Sequence, residues 1–440
     1  MSLGLNRKCR QRLIEKITEL LPKVNVQKRM FIDKKSSEIL MLPESILPQQ
    51  GPIHEQLKQY ISETPIYDFV YETLSRELLE YQQYDSKSVT LSLTKIAGYN
   101  EPNVIAERLI NDFDSLPWEY CLSIKLENDF GELFEKSIKS FSICDSIKLI
   151  VPDDNFCKEF PLRSGIEARD QSLSPGTWLT GLTGLSGLSP AEWDQSSTYF
   201  QVRVTGFIGK YGETTPLMEA ISLLKSFLGV GIAIRLFKFN YTYRSTPTKA
   251  NFLIHRRFAD EWVIEGLHDL ETSFSDTFHD LVFHDLGGYL KSEPEKVNWM
   301  DARIREINSV FTHKEKAQKI IRASQWLFDS YCGKNELLSF VQTTVVLEIL
   351  LGEKAISDVM GLSELLRNRC AYLISKSHKQ REDILNNFRK IYDVRSNIVH
   401  RGKDKLNIDE RSLFYNLQWM CRRVIQKEIE LLQNDITNSP

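Results

Sequence analysis

The last third of this chain is a succession of helix-length apolar periods with single glycines between them, and that pattern leaves few folds open. Met300–Phe311, Glu315–Tyr331, Glu336–Leu351, Leu362–Ser375, Arg381–His400 and Asp409–Asn434 each read as a helix. Gly333, Gly352, Gly361 and Gly402 fall between these segments, where C-caps belong. Six helices joined by short loops pack as a bundle.

The rest of the chain reads differently. Residues 1–115 look mainly helical, with Lys8–Leu21, Glu55–Ile61, Ile66–Tyr81 and Asn103–Phe113 as helices. The proline- and glutamine-bearing stretch from Leu42 to Pro52 reads as an extended connector. Residues 116–255 read as a mixed α/β domain with a sensor or regulatory role. Tyr120–Leu126, Ser146–Val151 and Thr198–Ile208 are its strands; Leu217–Leu228 is a helix followed by a strand over Gly231–Phe239. Residues 256–298 read as a connecting segment, and 299–440 as the bundle. The fold class expected is therefore α+β and multidomain, with an all-α C-terminal part. The glycine-rich tract Thr180–Pro190 lacks the lysine and hydroxyl of a phosphate loop and reads as a flexible loop; Gly206–Lys210 reads as a strand end and turn.

With 440 residues, two or three domains are expected. A net charge of −3 argues against a whole-chain nucleic-acid binder. The charge is uneven, however. Residues 301–440 hold 23 Lys+Arg against 18 Asp+Glu, and residues 361–427 hold 15 against 7. A basic third suits an anionic partner, and it also suits a solvated helical surface. The seven cysteines are scattered with no C-x2-C pair, which points to small core residues in a reducing cytoplasm rather than zinc or redox chemistry. No signal-like N-terminal run and no membrane span are expected. His279 and His284 are five apart, and His268-Asp269 and His284-Asp285 lack further ligands, so no metal and no cofactor are expected.

Within the basic third stands Arg395-Ser396-Asn397-Ile398-Val399-His400, an R-x4-H pattern. A guanidinium fork binds phosphate oxygens, and an imidazole moves protons near neutral pH, so the pair suits phosphodiester cleavage. With 25 Arg and 8 His in the chain, such a spacing arises about once by chance, so its surroundings must decide. Ile384, Leu385, Phe388, Ile391, Val394 and Ile398 form the buried stripe of this helix. Asp393, Ser396/Asn397 and His400 share another face. Arg395 and His400 are about 140° apart on a regular helix. A shared phosphate would then need a local distortion near Gly402 or a second subunit.

Glu348 interrupts the apolar run Val345–Leu351, so it needs a partner, and Arg395 could supply one. The pair would pin two helices, orient Arg395 toward phosphate, or do both.

Three segments in this order resemble the HEPN domain of the Apea-like group. Val346–Gly352 resembles its "LEALLG" helix, Leu366–Leu373 its arginine-rich helix, and Tyr392–His400 its "Y-x-x-R-S-x-I-V-H" signature. The likeness covers roughly the last third of the chain. Arg401 stands between His400 and Gly402, where relatives often have H-G directly. The resemblance implies a metal-independent endoribonuclease of antiviral defence, abortive infection or toxin type, working as a homodimer or higher oligomer. His400 would be the general acid or base and Arg395 would stabilise the phosphorane, leaving a cyclic phosphate. Asn397, Glu348 and Asp393 would support them, although an exposed helix carboxylate is the commoner explanation of Asp393. Arg367, Arg369, Arg401 and Lys403 would be RNA contacts or plain surface charges. RNA, tRNA among the candidates, is the implied substrate, with a phage-derived trigger or an inhibitory partner. The alternative is a non-catalytic HEPN-type module that binds nucleic acid or nucleotide and dimerises. An enzyme seated in the α/β region has no motif to support it.

Overall fold

The computed structural model describes residues 3–81, 84–87, 89–126, 140–162, 192–209, 212–240, 249–284, 292–352 and 361–438. The architecture is α+β. The first region contains helices α1 (Arg7–Leu20), α2 (Lys34–Leu40), α3 (Pro52–Tyr60), α4 (Pro65–Tyr81) and α5 (Pro102–Asp114). Leu13, Ile17, Leu57, Phe69, Leu109 and Phe113 make its core. It also holds a small antiparallel sheet, with β1 (Asn25–Gln27) between β2 (Phe31–Ile32) and β3 (Thr90–Ser92). The mainly helical reading missed that sheet. The β1–β2 turn runs through Lys28 and Arg29 at φ 51° and 60°, so the left-handed turn carries neither glycine nor asparagine to betray it. The Leu42–Pro52 connector includes a 3₁₀ turn at Leu42–Ile46.

The central sheet has six strands, every neighbouring pair antiparallel. These are β4 (Trp118–Lys125), β5 (Ser140–Cys144), β6 (Ile147–Ile150), β7 (Tyr199–Gly206), β9 (Asn251–Phe258) and β10 (Glu261–Asp269), in the order β10-β9-β4-β7-β6-β5. The expected strands at 120–126, 146–151 and 198–208 lie on β4, β6 and β7. The sheet continues through Asp269 into the stretch read as a connecting segment, because β9 and β10 form a hairpin. Its turn uses Ala259 and Asp260 at φ 46° and 69°, again without glycine. A short helix α6 (Asp154–Glu159) follows β6. The glycine-rich tract 180–190, Lys210 and Asp285 lie outside the described residues.

Helix α7 (Thr215–Ala233) is longer than its sequence reading, and no strand begins at Gly231. Only β8 (Phe237–Phe239) is extended, pairing with β11 (Leu281–Phe283) in a separate two-stranded sheet beyond α8 (Thr272–His279). An 18-residue window of α7 is apolar enough on average to cross a membrane, but it is interrupted by Glu219 and Lys225, and 72% of that window is buried inside the fold. It lies between the sheet, through Phe200 and Phe227, and the C-terminal helices. Its second half, Ser226–Ala233, is buried on every face, so periodicity alone cannot mark its end.

All six expected C-terminal helices form: α9 (Glu293–Thr312), α10 (Gln318–Cys332), α11 (Glu336–Leu351), α12 (Leu362–Ile374), α13 (His378–Arg401) and α14 (Ile408–Thr437). They share one continuous apolar core with α7 and the sheet. The α7–α10 packing is close enough to require glycine: a Cβ on Gly229 would sit 1.9 Å from the Ser324 carbonyl oxygen. Ser222 donates to Gln325 at 2.8 Å and Lys225 pairs with Asp329 at 2.8 Å along the same seam. Gln426 of α14 donates to the Ala233 carbonyl at 2.6 Å, closing the end of α7.

Candidate active site

The R-x4-H residues ride on α13, whose start and end are both fixed locally. Ser377 caps its first turn by accepting from the Gln380 amide at 3.2 Å. Gly402, at φ 64°, turns the chain left-handed, and the Lys403 amide donates back to the Asn397 carbonyl at 3.3 Å. Ile384, Phe388, Ile391 and Val394 seat the helix on the core. The helix stays regular through Arg401, so no local distortion brings Arg395 and His400 together.

Arg395 turns inward. Its Nη2 lies 3.6 Å from Oε1 of Glu348 on α11, with the two side chains 29% and 21% exposed. The same Oε1 accepts from the Tyr392 hydroxyl at 3.3 Å. Tyr392 stacks on Phe388 with ring centroids 5.0 Å apart and planes at 9°. Burial, then the charge of Glu348, pushes the Tyr392 hydroxyl well above its ordinary pKa, so it remains a neutral donor. Arg395 Nε is buried with no hydrogen-bond partner among the described residues. The two readings of Glu348 therefore converge on one geometry: it joins α11 to α13 and also fixes where the guanidinium sits.

His400 is exposed in the last turn of α13. Asp393 is exposed one face-repeat earlier, and no hydrogen bond joins it to His400 among the described residues. The backbone carbonyl of Asn397 is spent on terminating the helix. Arg401 is exposed, while Lys403 pairs with Glu410 at 3.0 Å and ties the end of α13 to the start of α14. Arg367 lies 3.5 Å from Glu364 within its own helix, and its Nε is buried without a hydrogen bond among the described residues. Arg369 donates to the Leu351 carbonyl at 2.8 Å, capping the C-terminus of α11. Of the sequence-chosen residues, Glu348 and Arg395 are brought together; His400, Asp393 and Arg401 stand apart from them on the solvent side. Tyr392 had no assigned role in the sequence, although it lies three residues before Arg395 in the same signature.

Among the described residues, no group of three or more His, Cys, Asp or Glu is placed to hold a metal ion. A second buried ionic cluster lies away from the bundle. Glu265 of β10 pairs with Arg76 of α4 and Arg256 of β9, and the Arg256 guanidinium lies 4.4 Å from the Trp118 ring centroid. Arg76 and Glu265 line a small cavity of about 30 Å³ with Tyr120 and His268, room for little more than a water molecule. No family model, no curated protein and no solved structure matches this chain.

Proposed function

We propose that this chain is a HEPN-type endoribonuclease of the cytoplasm, serving antiviral defence or growth arrest. It would cut RNA by metal-independent acid–base chemistry at a site shared between two subunits. The observation that carries the reading is the state of Arg395: a guanidinium set beside a carboxylate at a loose 3.6 Å, with spare donors, one turn and a half before an exposed His400. Phosphate oxygens are a natural acceptor for those donors. His400 would take the proton of the ribose 2′-hydroxyl or return one to the leaving oxygen. Because the two side chains leave one regular helix on different faces, Arg395 of one protomer would work with His400 of a second copy. Arg401 extends the positive surface beside His400.

A second reading keeps the bundle as a non-catalytic HEPN-type binding and dimerisation module. The half-burial of Arg395 against Glu348 favours it, since such a pair also serves to hold two helices together.

Cleavage assays in EDTA separate the two. His400→Ala and Arg395→Ala should each lower RNA cleavage by at least about a hundredfold while the helical content and assembly state persist. Sequencing of RNA ends after induced expression should show cyclic-phosphate termini with the wild type and none with His400→Ala. Normal cleavage by both variants would remove this site from the reaction.

A further inference from the structure

We propose that Tyr392 is a positioning residue whose hydroxyl holds Glu348 back from Arg395 and so keeps the guanidinium available to an RNA phosphate; this rests on the ribonuclease reading. One oxygen of Glu348, Oε1, serves both neighbours: the Tyr392 hydroxyl at 3.3 Å and Arg395 Nη2 at 3.6 Å. A committed guanidinium–carboxylate pair closes to about 2.7–2.9 Å and a phenol–carboxylate bond to about 2.5–2.7 Å, so Oε1 is shared between the two donors and drawn fully to neither. The longer separation means that Arg395 is held near Glu348 without being fully spent on it.

The tyrosine is suited to this part. Toward a carboxylate a phenol can only donate. Its ring is fixed against Phe388, so the hydroxyl cannot follow if Glu348 moves toward Arg395. Glu348 closing on Arg395 would therefore give up a hydrogen bond in a site largely withdrawn from water, which is costly. Arg395 Nε is itself buried, so a phosphate would meet the terminal nitrogens of a side chain that is 29% exposed. Without the hydroxyl, nothing restrains the carboxylate. It would then collapse into a tight pair with Arg395, and the RNA phosphate would have to displace it.

The test uses the full chain and a 2′-O-methyl RNA, which binds but cannot be cut, in EDTA. Tyr392→Phe keeps the stacked ring and removes only the hydroxyl. It should weaken RNA binding on the order of tenfold, the worth of one such hydrogen bond. Neutralising the competitor should abolish that loss, so Tyr392→Phe/Glu348→Gln should bind as tightly as Glu348→Gln alone. A merely structural tyrosine would impose the same penalty in both backgrounds. Unchanged binding by Tyr392→Phe, or a penalty that persists beside Glu348→Gln, overturns the role of Tyr392. Arg395→Ala is the separate arm. If it binds like the wild type, Arg395 is not the phosphate group and the ribonuclease reading falls as well.

Discussion

Glu265 in the sheet and Glu348 in the bundle are both carboxylates drawn out of water beside arginine, yet they are committed to different degrees. Glu265, 13% exposed, is held from two sides. Arg76 reaches one oxygen from α4, and Arg256 Nε lies 2.5 Å from the other at an angle too bent for a hydrogen bond. Arg256 is further fixed over Trp118. One carboxylate is thus gripped on both oxygens by two guanidinium groups, and three separate elements are tied together. Glu348 has one loosely placed arginine and one phenol on a single oxygen. A carboxylate held closely on both oxygens fastens the elements around it; one held at a longer distance on a single oxygen leaves its arginine freer to meet something else. On the proposed ribonuclease reading, this contrast favours Glu348 and Arg395 over the tighter cluster.

The largest effect that could break this contrast is on stability. Glu265→Ala would remove the carboxylate that Arg76 and Arg256 share in a site largely withdrawn from water, which should cost about 3 kcal/mol or more. Glu348→Ala leaves a single arginine that can turn toward water, so about 1 kcal/mol is expected. Urea denaturation of the two variants measures the difference. Equal losses would mean that Glu348 is as structural as Glu265.

Acid should expose a further weakness on the sheet side. His255 of β9 is fully buried, donates from Nε2 to the Pro161 carbonyl at 3.1 Å, and has no hydrogen bond at Nδ1 among the described residues. Burial pulls its pKa down to about 4. Above the ordinary value near 6.5 it is neutral whether folded or unfolded, so it costs nothing there. As the pH falls from about 6.5 toward 4, the unfolded chain takes up a proton that the folded chain refuses, and stability drops by roughly 3 kcal/mol across that window. Trp193 stacks on His255 with ring centroids 6.0 Å apart, so tryptophan emission can follow the change. His255→Gln should flatten the pH dependence. A slope that survives the substitution would assign the acid sensitivity to another group.

What could be read from sequence follows the same contrast. Glu348 was legible because it breaks a run of apolar residues, and Arg395 because it borders a regular buried stripe; both signals are local. Glu265 was not legible, because its partners Arg76 and Arg256 come from a helix 189 residues away and from a hairpin whose turn lacks glycine. The six C-terminal helices announced themselves by period and by intervening glycines. The length of α7 did not, because Gly229 and Gly231 resemble helix breakers until the Ser324 carbonyl and the Phe237 ring show why nothing larger fits. Tyr392 lay in plain view, but its meaning depends on a carboxylate 44 residues earlier.

The smallest expected effects sort committed from uncommitted arginines within the bundle itself. Arg369 spends a donor on the Leu351 carbonyl at the end of α11. Arg369→Ala should cost about 1 kcal/mol of stability and leave the salt dependence of RNA binding unchanged. Arg401 is exposed in the last turn of α13, beside His400. Arg401→Ala should change stability by no more than about 0.5 kcal/mol. Its loss should instead remove one phosphate contact, lowering the slope of log affinity against log salt by about 0.7 for a single strand. Titrations of one RNA at several potassium chloride concentrations read both variants together. If Arg369→Ala lowers the slope and Arg401→Ala does not, hydrogen-bond commitment inside the fold is no guide to which arginines meet RNA, and the contrast drawn between Glu265 and Glu348 loses its functional meaning.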